Sequence, residues 1–325
     1  MKSRVSRHVA ALRSAVGYFL IALGNRISPH PLAELAIFRL ERERYSRQLA
    51  RGAVLFSEFK YFVEERARVN GAPDESLVME VERILTLDPQ AYQVGQSNAS
   101  TRKAWVEGAL AKIPAGARLL DAGAGECPYK PACGHLEYVS QDLAKYDGLG
   151  NAVGLQTGQW NTSSIDIISD IAEIPRPTAS FDAILCTEVL EHLPRPISAI
   201  KEFARLLKPG GTLILTAPFC SLTHFAPYHY STGFSRYFYA THLKDCGLEI
   251  IEMTPNGNFF EFVGQEVRRI GEMAKQYCDD EIREPERYGV QVVLSMLERL
   301  SKADRNSHEM LHFGYQICAT RNLAP

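Results

Sequence analysis

Short apolar runs alternating with longer amphipathic stretches organise the chain from residue 96 onward. Strands are expected at 117–122, 137–142, 165–170, 181–186, 212–217, 248–253 and 313–320. Between them, apolar positions recur at helical spacing over 102–113, 196–208, 236–246, 259–278 and 286–302. The clearest helix opens at Pro196, turns Ile197, Ile200, Phe203, Leu206 and Leu207 to one side, and is stopped by Pro209-Gly-Gly211. Apolar strands alternating with helices indicate an α/β domain, a doubly wound and mostly parallel sheet. Residues 1–95 read differently, as helices over 5–23, 32–69 and 74–87 separated by Pro29, Pro31 and Asn70-Gly-Ala-Pro73. The expected organisation is therefore an N-terminal helical region (1–95) and an α/β domain (96–325), with a helical insertion (256–309) before the last strand.

Composition narrows the class. A net charge of −2 over 325 residues gives no global attraction to nucleic acid, and no basic or stacking module is present. Seven cysteines without a C-x-x-C pair suit reduced thiols and a cytoplasmic setting. No apolar run reaches the length needed to span a bilayer. The first helix sets Val5, Val9, Leu12, Val16, Phe19, Leu20 and Leu23 on one stripe, with Arg4, Arg7 and Arg13 nearby. That shape suits peripheral contact with the inner face of a membrane, a partner, or the main domain. The insertion helices suit either the substrate side or a homodimer face.

The chemistry gathers where strands are expected to end. Leu120-Asp-Ala-Gly-Ala-Gly125 joins a buried strand to a glycine turn against which a ligand can lie directly. A dinucleotide fingerprint needs a third glycine opening a helix, whereas here Cys127-Pro128 and Pro131 follow. Asp142 closes the second strand at the distance where such folds place an acid on ribose hydroxyls. Asp170 closes the third, where a carboxylate accepts from an exocyclic amine and the Ile171 N–H donates to a ring nitrogen. Each acid alone reads as a solvated strand end; their order makes a nucleotide-like pocket.

The same stretches carry a resemblance. Leu120–Gly125 with Tyr129, Ser169-Asp-Ile171, Phe181–Leu193 (ending Thr187-Glu-Val-Leu-Glu-His-Leu193) and Leu207-Lys-Pro-Gly-Gly-Thr-Leu213 resemble class I S-adenosylmethionine-dependent methyltransferases. The closest likeness is to the bacterial branch with Glu-His-Leu after strand 4. The resemblance implies a Rossmann-like methyltransferase fold with seven strands, the last antiparallel, and S-adenosyl-L-methionine as cofactor. It assigns Asp121, Gly123 and Gly125 to the methionine part, Asp142 to the ribose, and Asp170 with Ile171 to the adenine. Tyr129, Thr187 and Glu188 complete the expected cofactor set. The chain departs from the family at Cys127, where a third glycine is common.

The acceptor side is expected after strand 5, in Pro218–Tyr237, which is rich in histidine and aromatics. His224 and His229 are the first candidates for a base, and Glu191 and His192 the second; the latter pair also reads as a cap and packing pair for the next helix. Cys220-x3-His224-x4-His229 resembles a ligand set without a fourth member, so no metal is expected. Phe219, Phe225, Tyr228, Tyr230, Phe234, Tyr237 and Tyr239 read either as a lid on a sugar or as core. The expected activity is O-methylation of a small-molecule or glycan acceptor: a glycan, a nucleotide-sugar or a lipid-linked saccharide of polysaccharide biosynthesis. Methylation of a membrane-associated quinone or lipid, and a cofactor-binding scaffold without activity, stay open.

Overall fold

The structure is a computed structural model that describes residues 92–282 and 284–323. The expected N-terminal helical region, and with it the amphipathic first helix, lies almost wholly outside the described residues. The chain divides into two compact units, Val94–Glu266 with Glu298–Pro325, and Met1–Gln93 with Val267–Leu297. The first unit holds the sheet and every candidate site residue.

That unit opens with α1 (Asn98–Leu110), then β1 (Arg118–Ala122), β2 (Glu137–Asp142), a two-residue β3 (Ile167–Ile168) and β4 (Phe181–Thr187). It continues through α2 (Pro196–Leu206), β5 (Leu207–Pro218), α3 (Arg236–Asp245) and β6 (Leu248–Asn256). Helices α4 (Phe259–Cys278) and α5 (Glu284–Lys302) then intervene before β7 (Gly314–Arg321). The sheet has seven strands in the order β3-β2-β1-β4-β5-β7-β6. Only β7 runs against its neighbours β5 and β6. This is the doubly wound, mostly parallel sheet expected, and the order reverses between β1 and β4, the switch point where such sheets bind ligands.

Strand alternation divides the core between the two faces. Leu120, Ile184, Leu213 and Leu215 pack with Ile200, Phe203 and Leu206 of α2 and Tyr239 and Leu243 of α3. Leu119, Leu185 and Ile214 point the other way, onto Val106, Ala109 and Leu110 of α1. Both faces are covered, so the central strands read as continuous apolar runs rather than alternating ones.

Several boundaries differ from the expected ones, each for a local reason. Helix α1 starts one turn before Arg102. The polar Asn98 and Thr101, which look like a break, bond to the Asn256 side chain at the end of β6 and so belong to the helix. Only Ile167 and Ile168 of the expected third strand pair in the sheet, because Asp166 spends its carboxylate on the Ser140 N–H and hydroxyl, both at 2.8 Å. Asp170 therefore does not close a strand. Residues 207–208, expected in α2, begin β5 instead: Leu207 pairs with Phe181 and Thr212 with Ala183, so Lys208–Gly211 loop out opposite Asp182. Lys208 Nζ meets Asp182 at 2.7 Å across that irregularity.

Candidate active site

Residue Asp121 is 2% exposed, and its Oδ2 accepts a 2.6 Å hydrogen bond from the Tyr138 hydroxyl. Burial pushes its carboxyl up to about 7; the Tyr138 bond works the other way, and the nearby Asp142 charge adds to the rise. Gly123 and Gly125 have φ of +76° and +53°, the left-handed region that costs a side chain about 1–2 kcal/mol. A Cβ on Gly123 would lie 2.5 Å from Val189 Cγ2, and one on Gly125 2.9 Å from the Trp160 ring. The turn is tied to β2: Gly123 N and Ala124 N donate to the Gln141 carbonyl, and Gly125 N donates to Asp142 Oδ2 at 2.9 Å. Cys127, where the family often has glycine, has φ of +56°, so that place does call for a left-handed residue. The helix that usually follows is reduced to a single turn, Lys130–Cys133.

The raised carboxyl of Asp121 carries a stability prediction. Its folded value, about 7, lies above the ordinary 3.8, so between these limits the folded chain keeps a proton that the unfolded chain releases. Stability from this group is full below about pH 4 and is lost as the pH rises through about 7. In Asp121→Asn, which stays neutral, melting curves are expected to lose this dependence. The variant's advantage over wild type should grow between pH 4 and pH 8 by at most roughly 4 kcal/mol. A gap that does not change with pH would refute the assignment.

The other cofactor candidates line the same sheet edge. Asp142 Oδ1 accepts from Ala144 N at 2.7 Å, so its carboxylate braces both the glycine turn and the loop beyond β2. Asp170 is exposed and its Oδ1 accepts from Ala172 N, an Asx turn that presents the buried Ile171 beside the edge. Thr187 ends β4, and Glu188 follows it with φ of +54°. Glu188 is held between Arg102 Nη1 at 3.1 Å and the Thr216 hydroxyl at 2.9 Å. Buried Tyr129 lies near the same guanidinium: burial raises its phenol, and Arg102 opposes the rise. Arg102, Asn98, Glu188, Thr216, Asn256 and Gln316 line a narrow polar cleft. Arg102 and Thr216 were not among the expected site residues. Their only sequence signals are a cation on the helix before the glycine strand and a hydroxyl near the end of β5.

The four catalytic candidates come together. Glu191 is 1% exposed, and neither carboxylate oxygen has a hydrogen-bond partner. Its Oε1 lies 3.6 Å from His192 Nε2 and 3.8 Å from His224 Nε2. His192 Nδ1 is 2.7 Å from the Tyr228 carbonyl, and His224 Nδ1 is 2.8 Å from the Leu222 carbonyl. A carbonyl can only accept, so each ring carries a proton on Nδ1 and turns Nε2 toward Glu191. His229 has both ring nitrogens buried and unbonded. The Nε2 or Nδ1 atoms of His192, His224 and His229 all lie within 4.8 Å of one another, a grouping able to hold a metal ion. Burial raises Glu191 to about 7 and lowers His192 to about 4. Burial also works against a charge on His224, but the adjacent Glu191 outweighs it and raises that imidazole.

Glu191 and His192 sit in a one-turn helix, Leu190–His192, and do not cap α2, whose N-cap Arg195 has no side-chain cap bond. The Glu191 carbonyl accepts from Tyr230 N and Ser231 N, which fastens the loop after β5 over the cluster. The aromatics of that loop divide. Phe234 and Tyr239 are core, and Phe219 packs on His312. Tyr230 and Tyr237 are exposed. Phe225 stacks on His192 at 4.8 Å and on Tyr146 at 4.5 Å, and Trp160 stands edge-on to Phe225. Tyr146 and Trp160, from the helix-free loop after β2, are further residues that the sequence pattern did not single out.

Fold, glycine turn and strand-end acids together define a class I S-adenosylmethionine-dependent methyltransferase domain, whose cofactor is S-adenosyl-L-methionine. Residues 100–250, a little under half of the chain, match the family described as "Methyltransferase domain". A ubiquinone biosynthesis O-methyltransferase from Xanthomonas oryzae pv. oryzae is 37% identical over 105 residues, 31% of this chain and 43% of that relative. One from Xylella fastidiosa is 38% identical over 110 residues, 32% of this chain and 44% of the relative. The chain thus spans less than half the length of these curated relatives. Among solved structures, phosphoethanolamine N-methyltransferase 2 from Haemonchus contortus with S-adenosyl-L-methionine aligns at TM-score 0.40 and 16% identity, covering 69% of this chain and 53% of that one. A cyclopropane synthase from Mycobacterium tuberculosis aligns at TM-score 0.41 and 14% identity, covering 67% and 83%.

The residues fit the cofactor. The left-handed Gly123 and Gly125 carry no side chain on the β1 turn, and the Asp142 carboxylate lies against it, accepting from Gly125 N at 2.9 Å. Bound there, S-adenosyl-L-methionine supplies an electrophilic methyl group on a sulfonium.

Proposed function

We propose that the chain is an S-adenosylmethionine-dependent O-methyltransferase acting on a hydroxyl of a small, membrane-associated ring compound of the quinone type. The observation that carries the reading is Glu191, a buried carboxylate without a hydrogen bond, 3.6 Å and 3.8 Å from the imidazoles of His192 and His224 next to the Thr187-Glu188 end of β4. Burying a carboxylate without hydrogen bonds is costly, so such a group is retained for chemistry rather than stability. Methyl transfer to a hydroxyl needs the oxygen's proton removed as the bond forms. The Glu191 carboxylate would take the acceptor O–H proton, and S-adenosyl-L-methionine, held at the β1 turn beside Asp142, would supply the electrophilic methyl group. The chain's other work is to position the two reactants and exclude water.

The relatives' role in ubiquinone biosynthesis supports a ring hydroxyl over a sugar. The glycan reading rests on the aromatic loop, and two of its aromatics, Phe234 and Tyr239, are occupied in the core. Incubation with S-adenosylmethionine carrying a labelled methyl separates the two. Label is expected in the methyl ether of a dihydroxybenzene acceptor. Label recovered in mono- or disaccharides and not in the phenol would overturn the ring-hydroxyl assignment.

A further inference from the structure

We infer that His192, His224 and His229, with Glu191 Oε1, form a binding site for one divalent transition-metal cation. The inference rests on the reading of this cluster as the acceptor site and adds a cation that would fix the imidazoles beside it.

The first ground is ligand geometry. Four ligands at about 2.1 Å around a tetrahedral metal stand roughly 3.4 Å apart. Glu191 Oε1 lies 3.6 Å and 3.8 Å from the Nε2 atoms of His192 and His224. These separations are too long for hydrogen bonds and close to the edges of such a tetrahedron. The nitrogens of all three histidines lie within 4.8 Å of one another, so a cation draws His229 in by a small side-chain movement.

The second ground is the outer shell. Metal-bound histidines characteristically donate their other N–H to a carbonyl or carboxylate, which fixes tautomer and ring orientation. His192 does so to Tyr228 O at 2.7 Å and His224 to Leu222 O at 2.8 Å. Both acceptors are backbone atoms of the same loop, so the loop after β5 sets two ligands at once.

The third ground is the set of orphaned atoms. Both Glu191 oxygens, His192 Nε2 and both nitrogens of His229 are buried without partners. Gathering so many unbonded polar atoms, most of them acceptors, in one place is unfavourable unless something positive sits among them. Three imidazoles and one carboxylate are the donor set of a borderline cation such as Zn2+ or Co2+, not of Mg2+ or Ca2+. The two-residue helical advance from Leu190 and the loop return bring these ligands together from distant positions, which hides the site from a spacing search.

The test uses the full chain, stripped with chelator and titrated with Co2+ alone. One equivalent is expected, with the visible absorption of tetrahedral nitrogen-ligated Co2+, displaced by Zn2+. His229→Gln, whose native side chain makes no hydrogen bond, should weaken Co2+ by roughly a hundredfold while its melting curve stays near wild type. His224→Ala should abolish the absorption. Co2+ bound equally by wild type and both variants, or no saturable binding by the wild type, would overturn the site. S-adenosylmethionine titrated into the same samples keeps the two readings apart. Metal bound without cofactor leaves the cation site standing and removes the methyl-transfer reading; cofactor bound without metal does the reverse.

Discussion

Glu191→Gln is expected to slow methyl transfer to a phenolic hydroxyl by two to four orders of magnitude while leaving S-adenosylmethionine affinity within about twofold. General-base contributions are typically 10²–10⁴-fold. The amide keeps the shape of a side chain that is 1% exposed, so packing is preserved and the loss is chemical. Glutamine can neither take the acceptor's proton nor offer a charge to the facing imidazoles of His192 and His224. The buried orphan carboxylate also costs the folded chain free energy, so the same substitution should hold or raise the melting temperature. Loss of activity together with a gain in stability is the signature of a group retained for function. Activity unchanged in the glutamine variant would remove Glu191 from the reaction. A large fall in donor affinity would move it to the cofactor side.

The second large effect falls on the donor. Gly123→Ala places a methyl group 2.5 Å from Val189 Cγ2 and 2.9 Å from Cγ1, and forces an L side chain to φ of +76°. Left-handed strain of about 1–2 kcal/mol and overpacking of about 1–3 kcal/mol both act on the turn that faces the cofactor. Val189 adjoins Glu188, so relieving the clash moves the Arg102–Glu188–Thr216 group as well. S-adenosylmethionine affinity is expected to fall about a hundredfold by isothermal calorimetry. Gly108→Ala, on the open surface of α1 with nothing within 4 Å of its Cβ, is the control and should bind normally. Equal affinities in the two variants would mean that the turn does not hold the donor.

How much of this was legible in the sequence follows from the range of the forces involved. The strands were readable because both sheet faces are covered, which leaves runs such as Ala183–Cys186 and Leu213–Leu215 apolar at every position. Helix α4 was readable to its ends, because its apolar stripe and flanking turn residues are local. The third strand was overestimated, since Asp166 satisfies the backbone of β2 with a side chain, and apolarity cannot report that substitution. The start of α1 was missed because Asn98 and Thr101 are held by Asn256, more than 150 residues away.

The site shows the same division. The glycine turn and Asp142 are fixed by strand positions, and topology alone brings them to one edge; Asp170 lies beyond the two-residue β3. Arg102 becomes visible only when α1 is placed against β4. The histidines were found as candidates one by one, but their relation to Glu191 depends on a loop whose backbone bonds to the Glu191 carbonyl. The short Cys220-x3-His224-x4-His229 spacing does not include His192, which the structure groups with the two loop histidines, without Cys220, among the described residues.

Calorimetric titration of S-adenosylmethionine into the full chain tests the central claim most directly. The account predicts one saturable site per chain in the wild type, retained in Glu191→Gln and weakened about a hundredfold in Gly123→Ala. No binding by the wild type, or binding that Gly123→Ala leaves unchanged, would contradict it.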